Sequence, residues 1–250
     1  MKKFVVINQK GGVGKSIFAY NGCHYFAEKG RVLFIEADEQ CNSSKSLSPY
    51  KVPGDMNASV MFSDQPLQLP QLAQQIVVLP GSQDLRKVER STDDKQLVEN
   101  LKKRLAEVSG EFDFCVIDTP GANNKAANAF LFASDYVVIP SQIDTYSLDV
   151  ASEVLKRVIW TQQNTNTALV NLGILPSIFD ATSPTMKEDL AQLLKEFHKY
   201  VLKAKISKKS AYREAATAQV PVWKLDKTAA REAGKEIRAA YDLIAAKMGV

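Results

Sequence analysis

A glycine-rich loop between an apolar run and a helical pattern is the feature that most constrains the fold. Residues 4–7 form a short β-branched run of the kind found in buried strands. Residues 8–16 then read Asn-Gln-Lys-Gly-Gly-Val-Gly-Lys-Ser, and a helical pattern continues from Lys15 to Lys29, where Gly30 ends it. A strand that passes through glycines into a helix predicts an anion-binding loop at the carboxyl edge of a parallel sheet.

Apolar runs alternate with helical patterns along the rest of the chain. Strands are predicted at residues 31–36, 75–79, 113–118, 136–139, 172–179 and 204–206. Helices are predicted at residues 95–108, 126–133, 149–160 and 185–200, near Ala211, and at residues 228–248. This alternation predicts an α/β fold, with a doubly wound, mostly parallel sheet covered by helices on both faces. Residues 43–70, rich in Ser, Pro and Gln, are predicted to form a surface excursion.

The composition suits one globular domain spanning residues 1–250, because 45% of the residues are hydrophobic and no linker interrupts the pattern. Residues 201–250 hold eleven Lys and Arg against five Asp and Glu, whereas the whole chain carries only +4. This basic segment indicates either an anionic partner or a solvated helical face. Three scattered cysteines fit a reducing cytoplasm, and neither a signal peptide nor a membrane-spanning run is predicted.

The loop chemistry points to a nucleotide. Glycines let successive backbone N–H groups point at one anion, Lys15 can reach the β- and γ-phosphates, and the Ser16 hydroxyl can bind Mg²⁺. The standard phosphate-loop pattern has a glycine five residues before the Gly-Lys pair. Gln9 occupies that position here, and a second lysine, Lys10, opens the loop instead. A glycine-rich turn without a ligand is the alternative.

Residues 10–16, Lys-Gly-Gly-Val-Gly-Lys-Ser, resemble the deviant Walker A box of the ParA/MinD ATPases. The resemblance implies a P-loop NTPase of the deviant Walker type that uses ATP and Mg²⁺. It implies that Lys10 reaches across a nucleotide-sandwiched homodimer to the partner's phosphates. It assigns nucleotide contacts to a continuous set: Gly11, Gly12, Val13, Gly14, Lys15, Ser16 and Ile17.

An aspartate ends the apolar run of residues 114–118 and is followed by Thr-Pro-Gly. A carboxylate at that point can hold a Mg²⁺-bound water, as the Walker B aspartate does, so we assign Asp118 to the metal through water. The N–H group of Gly121 is predicted to contact the γ-phosphate. A helix cap is the alternative role for such an aspartate.

A second acidic segment, residues 36–42, reads Glu-Ala-Asp-Glu-Gln-Cys-Asn and resembles the family's Asp-x-Asp-Pro-Gln-Gly-Asn. The resemblance implies that Asp38 orients the attacking water and offers it as a further Mg²⁺ contact, so the predicted catalytic residues are Lys10, Lys15 and Asp38. Glu36, Glu39 and Cys41 depart from the family pattern, which affects the loop because Pro and Gly both constrain a backbone. An exposed acidic turn is the alternative.

The basic segment contains a stretch, residues 211–222, that is similar to the family's segment before its last helix. The resemblance implies that this region contributes to the adenine pocket, where Arg213 is placed, and to DNA contacts. Such contacts would be made to phosphates and would be independent of DNA sequence. The predicted DNA-binding residues are Lys203, Lys205, Lys208, Lys209, Arg213, Lys224 and Lys227.

Only nine residues precede Lys10, which leaves no room for an N-terminal helix-turn-helix. The chain therefore resembles the small partition type, or a relative that positions other cargo. The partition type implies a ParB-like adaptor and cargo that is plasmid or chromosomal DNA. It also implies a cytoplasmic, nucleoid-associated protein with no stable membrane association. The main alternative is a MinD-like ATPase with an amphipathic C-terminal helix that binds lipid. A nucleotide-switched scaffold with little turnover is another. A nitrogenase-reductase-like role is excluded because no cysteine follows Gly121.

Overall fold

A six-stranded sheet with helices on both faces forms the centre of the molecule. The computed structural model describes residues 1–250, with the exception of the side chains at positions 145, 146 and 148. The strands are β1 (Lys2–Val6), β2 (Val32–Glu36), β3 (Ile76–Leu79), β4 (Phe114–Asp118), β5 (Tyr136–Gln142) and β6 (Val170–Ser177). Their order is β3-β2-β4-β1-β5-β6, and each neighbouring pair is parallel. The predicted fold class is confirmed.

The helices divide between the two faces of the sheet. They are α1 (Lys15–Ala27), α2 (Asn42–Ser46), α3 (Leu85–Arg90), α4 (Asp94–Glu107), α5 (Lys125–Ala133), α6 (Thr145–Asn164), α7 (Pro184–Phe197), α8 (Ala211–Thr217) and α9 (Thr228–Met248). Side chains of α4, α5 and α6 pack in one apolar cluster, and those of α1, α8 and α9 pack in the other. This double layer explains why β2 and β4 are buried along their whole length.

The predicted strand at residues 204–206 is wrong. The chain there runs beside β6 but meets it only at separated points, where Leu202 donates to the Ile174 carbonyl at 2.8 Å and Ile206 to the Pro176 carbonyl at 2.8 Å. Only isolated bridges form, between Ile174 and Val201 and between Phe179 and Ser207. Leu202 and Ile206 are apolar because they pack in the core, and the segment forms no continuous hydrogen-bonded ladder with β6.

Residues 43–70 are also more ordered than predicted. They contain most of α2 and 3₁₀ turns at Ser48–Tyr50 and Ala58–Phe62. Leu47 and Met61 are fully buried, so the prediction of a surface excursion is wrong for these apolar side chains. The short turns follow no regular hydrophobic period, which is why the pattern did not reveal them.

The apolar stripe of α9 packs into the same apolar cluster as α1 and α8. Ile237, Tyr241, Ile244 and Met248 are buried, and Leu243 is the member of the stripe that is exposed, at 39%. Tyr241 stacks on Phe18 of α1 with ring centroids 4.4 Å apart. Among the described residues, every helix is too short or too polar to cross a bilayer.

Burial of His24 in α1 leads to a stability prediction. The side chain is 8% exposed, and burial lowers its pKa from 6.5 to about 4. The folded state therefore binds fewer protons than the unfolded state between these values, and stability falls as pH drops from about 6.5 towards 4, by about 3 kcal/mol in total. We expect His24→Phe, which keeps the aromatic packing, to lose less folding stability at low pH than the wild type, because it has no imidazole to protonate. Urea unfolding of both proteins at pH 7 and pH 4.5 measures the difference, and parallel losses would contradict it.

Candidate functional site

A cleft of about 410 Å³ lies at the carboxyl ends of β1 and β2. Most of the predicted nucleotide-binding residues line it: Gly11, Gly12, Gly14, Lys15, Ser16, Ile17, Asp38, Gly121 and Arg213. Val13 differs, because its side chain is buried and its carbonyl accepts from Ser177 Oγ at 2.6 Å. The parallel sheet brings these segments together, since the ends of its neighbouring strands meet at one edge.

The loop between β1 and α1 has the backbone of an anion cradle. Gly12 and Gly14 have φ values of 76° and 89°, in the left-handed region that glycine tolerates. Gly14 is the N-cap of α1, and among the described side chains none caps this helix end. The first N–H groups of α1 therefore point into the cleft, where the helix dipole favours a phosphate.

Lys15 is the buried cation of the cleft. Its side chain is 6% exposed, and its Nζ donates to the Lys10 carbonyl at 3.0 Å. Burial lowers the pKa of this ammonium, while the charges of Asp118 and Asp38 act in the opposite direction. A phosphate bound in the cleft would restore the charge partner that such a buried cation needs.

Lys10 points away from the cleft. Its Nζ lies 3.2 and 3.3 Å from the carboxylate oxygens of Asp144 and 2.6 Å from Ser147 Oγ, both at the start of α6. Sequence reasoning missed these partners, because nothing in residues 144–147 marks them as contacts of the loop. The ammonium is thus held on the same chain, away from the phosphate position that Lys15 serves.

Asp118 is a fully buried carboxylate at the end of β4. Its Oδ2 accepts from Ser43 Oγ at 2.5 Å, whereas its Oδ1 has no hydrogen-bond partner among the described residues. Burial and, to a smaller extent, the neighbouring Glu36 raise the pKa of Asp118 to about 7, while hydrogen bonds from Ser43 and Ser16 oppose the shift. An orphaned carboxylate oxygen beside a serine hydroxyl suits a hydrated Mg²⁺, so the residues present fit this ion.

Glu36 ties the acidic segment to its surroundings. Its carboxylate accepts from the N–H groups of Ser43 at 2.8 Å and Ser44 at 2.9 Å, at the start of α2. Glu36 therefore stabilises the start of α2, whereas Asp38 lines the cleft. Cys41, where the family has Gly, takes a left-handed φ of 56°. The loop keeps a glycine-like backbone without the glycine.

A second, apolar cavity of about 340 Å³ adjoins the phosphate cleft and shares Arg213 with it. Its lining includes Phe18, Leu175 and Tyr212, and an apolar cavity beside a phosphate loop suits a nucleotide base. Ile178 also lines it and has a φ of 53°, an unusual strain for a β-branched residue.

The predicted DNA-binding residues fall into three groups. Lys208, Lys209 and Arg213 line the apolar cavity. Lys209 and Lys227 are paired with Glu232 and Glu214, and Lys205 lies 4.5 Å from the centre of the Phe179 ring. The remaining two, Lys203 and Lys224, are exposed and form no ion pair with the residues that the structure describes.

Comparison with known proteins agrees with this geometry. Residues 1–171 match the family model described as "AAA domain". Protein IncC of Escherichia coli is 34% identical over 260 residues, an alignment that covers 100% of this chain and 71% of IncC. The chromosome-partitioning ATPase Soj of Treponema pallidum is 29% identical, with 90% of each chain covered.

The fold also matches solved structures. An ATP complex of Cyanothece McdA superposes with a TM-score of 0.83, covering 98% of this chain and 96% of the McdA chain. Its sequence identity is 20%, so this likeness concerns the fold alone. Together with the deviant phosphate loop, the family model and the relatives above show that the chain belongs to the ParA/MinD family of P-loop partition ATPases.

Proposed function

We propose that this protein is a Mg²⁺-dependent ATP hydrolase that dimerises around ATP, binds DNA without sequence preference and partitions a plasmid or chromosome. The observation that carries the proposal is the joint position of Lys15, Ser16 and the orphaned Asp118 Oδ1 at the end of the central strands. A buried cation beside a metal-type carboxylate is the arrangement that phosphoryl transfer requires.

The chemistry divides among these residues. Lys15 and the N–H groups of the loop bind the phosphates, and the apolar cavity takes the base. Asp38 orients the water that attacks the γ-phosphorus, after which ADP and phosphate leave. Ser16 directly, and Asp118 through water, would hold Mg²⁺, which neutralises phosphate charge when bound. Gly121 offers its N–H group to the γ-phosphate from the loop after β4.

Dimerisation depends in this proposal on Lys10. The ammonium leaves Asp144 and Ser147 and reaches the phosphates bound by the partner subunit. We expect Lys10→Ala to bind nucleotide but to remain monomeric with a nonhydrolysable ATP analogue, because its charge acts across the interface. Sedimentation velocity measures this. Lys45→Ala, which removes an exposed lysine of α2, is the matched control and should dimerise normally. A Lys10→Ala protein that dimerises as well as the wild type would contradict the role.

DNA binding and adaptor stimulation complete the cycle. Two subunits double the basic surface, and affinity for a polyanion rises steeply with the number of phosphate contacts. ATP hydrolysis would be slow, and a ParB-like DNA-binding adaptor would accelerate it. After hydrolysis the protein would dissociate from nucleoid DNA into the cytoplasm. Burial of most of the α9 stripe in the apolar cluster with α1 and α8 favours this over a MinD-like membrane cycle.

A nucleotide-switched scaffold is the second candidate function, and the altered acidic loop favours it. Cys41 and Glu39 stand where Gly and Pro shape the family's loop. ATPase assays with and without DNA and the adaptor separate the two. Turnover that stays at background under every condition would support the scaffold, whereas stimulation by the adaptor would support the ATPase.

A further inference from the structure

An ion pair joins the acidic loop to α3. Glu39 directly follows Asp38, and both of its carboxylate oxygens contact Arg86. The Arg86 Nε donates to Oε2 at 2.6 Å, and Nη2 donates to Oε1 at 3.2 Å. This two-point contact fixes direction as well as distance, because the guanidinium and the carboxylate are both planar.

The same loop lies against the segment that leads from β3 into α3. A Cβ atom on Gly81 would come within 1.9 Å of the Asp38 carbonyl oxygen, so the backbones approach as closely as glycine permits. Cys41 Sγ donates to the Gly81 carbonyl at 3.0 Å. The loop is therefore held along the β3–α3 segment on both sides of Glu39.

Helix α3 also contacts the first turn of α5, the helix that follows the loop after β4. The Glu89 carboxylate accepts from the N–H groups of Lys125 at 2.9 Å and Ala126 at 3.1 Å, at the start of α5. Gly121 lies in the loop just before that point. One short helix thus contacts the acidic loop through Arg86 and, through Glu89, the start of α5 directly after the loop that holds Gly121.

We propose that Arg86 is a positioning residue for ATP hydrolysis: through Glu39 it holds the loop so that Asp38 faces the attacking water. In the family pattern a proline follows the aspartate, and its ring fixes the backbone angle φ at that position. Glu39 leaves this angle free, and the contact with α3 supplies the restraint that the proline would give. The inference rests on the proposed hydrolysis.

The solvent exposure of Arg86 and Glu39 limits how much their ion pair can contribute to kcat. The side chains of Arg86 and Glu39 are 54% and 33% exposed, so water and salt weaken their attraction. Loss of the pair should therefore leave the melting temperature and ATP affinity unchanged. We expect a decrease in kcat of about three- to fivefold, which is the range that an exposed ion pair can supply.

The test is ATP hydrolysis by Arg86→Ala, Arg86→Glu, Glu39→Arg and the charge-swapped double variant. We expect both reversals to lower kcat without raising KM, and the double variant to recover at least half of the wild-type rate. Lys87→Ala is the control, because it removes the next exposed cation of α3, which pairs with Asp84 instead. Low salt should enlarge the effect of Arg86→Ala, and high salt should reduce it.

A combination with Asp38→Ala shows whether Arg86 acts through Asp38. In that background Arg86→Ala should cause no further loss, because the residue it positions is gone. An equal loss in both backgrounds would overturn the inference, as would wild-type kcat in every single variant. Failure of the proposed function is distinct from either result, since the wild-type protein itself would then show no hydrolysis.

Discussion

Lys15→Ala is expected to lower ATP affinity by about 30- to 5,000-fold. Its ammonium is the buried cation of the phosphate cleft, and losing one partner of a buried charge pair costs about 2–5 kcal/mol. The fold should survive, because burial already disfavours this charge in the free protein. Calorimetric titration with ATP measures the affinity, and thermal unfolding verifies the fold.

Lys45→Ala is the control for Lys15→Ala. Lys45 is exposed on α2 near the same cleft, and its Nζ donates to the Gln40 carbonyl at 3.2 Å. Its loss should leave ATP affinity within about twofold of the wild type, as for an ordinary surface charge. If Lys15→Ala still binds ATP with micromolar affinity, the assignment of this loop as the phosphate-binding loop is wrong, regardless of the result for Lys45→Ala.

Asp38→Ala should bind ATP and dimerise but hydrolyse ATP at least about 100-fold more slowly, because the attacking water loses the group that orients it. The trapped dimer should retain unrelated duplex DNA in ATP and release it in ADP. Fluorescence anisotropy with both nucleotides, at several salt concentrations, measures this. Asp55→Ala, at an exposed position outside the cleft, is the control.

Three outcomes of the trapping experiment discriminate among the models. Equal DNA binding in ATP and ADP would eliminate the nucleotide switch. ATP-dependent pelleting with anionic vesicles, without DNA binding, would favour the MinD-like alternative. Undiminished hydrolysis by Asp38→Ala would show that another group orients the water.

The basic surface can be tested in the trapped background. Replacing Lys208, Lys209 and Arg213 would confound DNA and nucleotide binding, because these residues line the apolar cavity. Lys203 and Lys224 are exposed and are not part of that lining. Changing both to Ala removes four lysines from the dimer, so it should weaken binding on every DNA sequence and reduce the salt slope by up to about 4. Lys102 and Lys103, exposed on α4 of the opposite face, are the matched control pair.

The strands and the phosphate loop could be predicted from local patterns. Each of β1 to β5 contains a continuous apolar run, and the glycine loop joins a strand to a helix, so neighbours along the chain carry the information. The resemblance to the family added roles for Lys10 and Asp38 that periodicity does not encode. The relatives later confirmed the family itself.

Long-range contacts were beyond prediction from one sequence. The Lys10–Asp144 contact spans 134 positions and the Arg86–Glu39 contact spans 47, and neither pair has a local signature. The missed order of residues 43–70 has the same cause, since Leu47 and Met61 are buried by the rest of the fold.

The sequence by itself determined the alternation of strands and helices and the glycine loop that opens α1, because backbone propensity and apolar period are local properties. Only the tertiary structure decided which charges meet. Sheet order brings Asp118 beside Ser43 and leaves its Oδ1 unpaired, and packing of α3 places Arg86 on Glu39. These pairings depend on strand order and helix placement, which no short segment of the chain specifies.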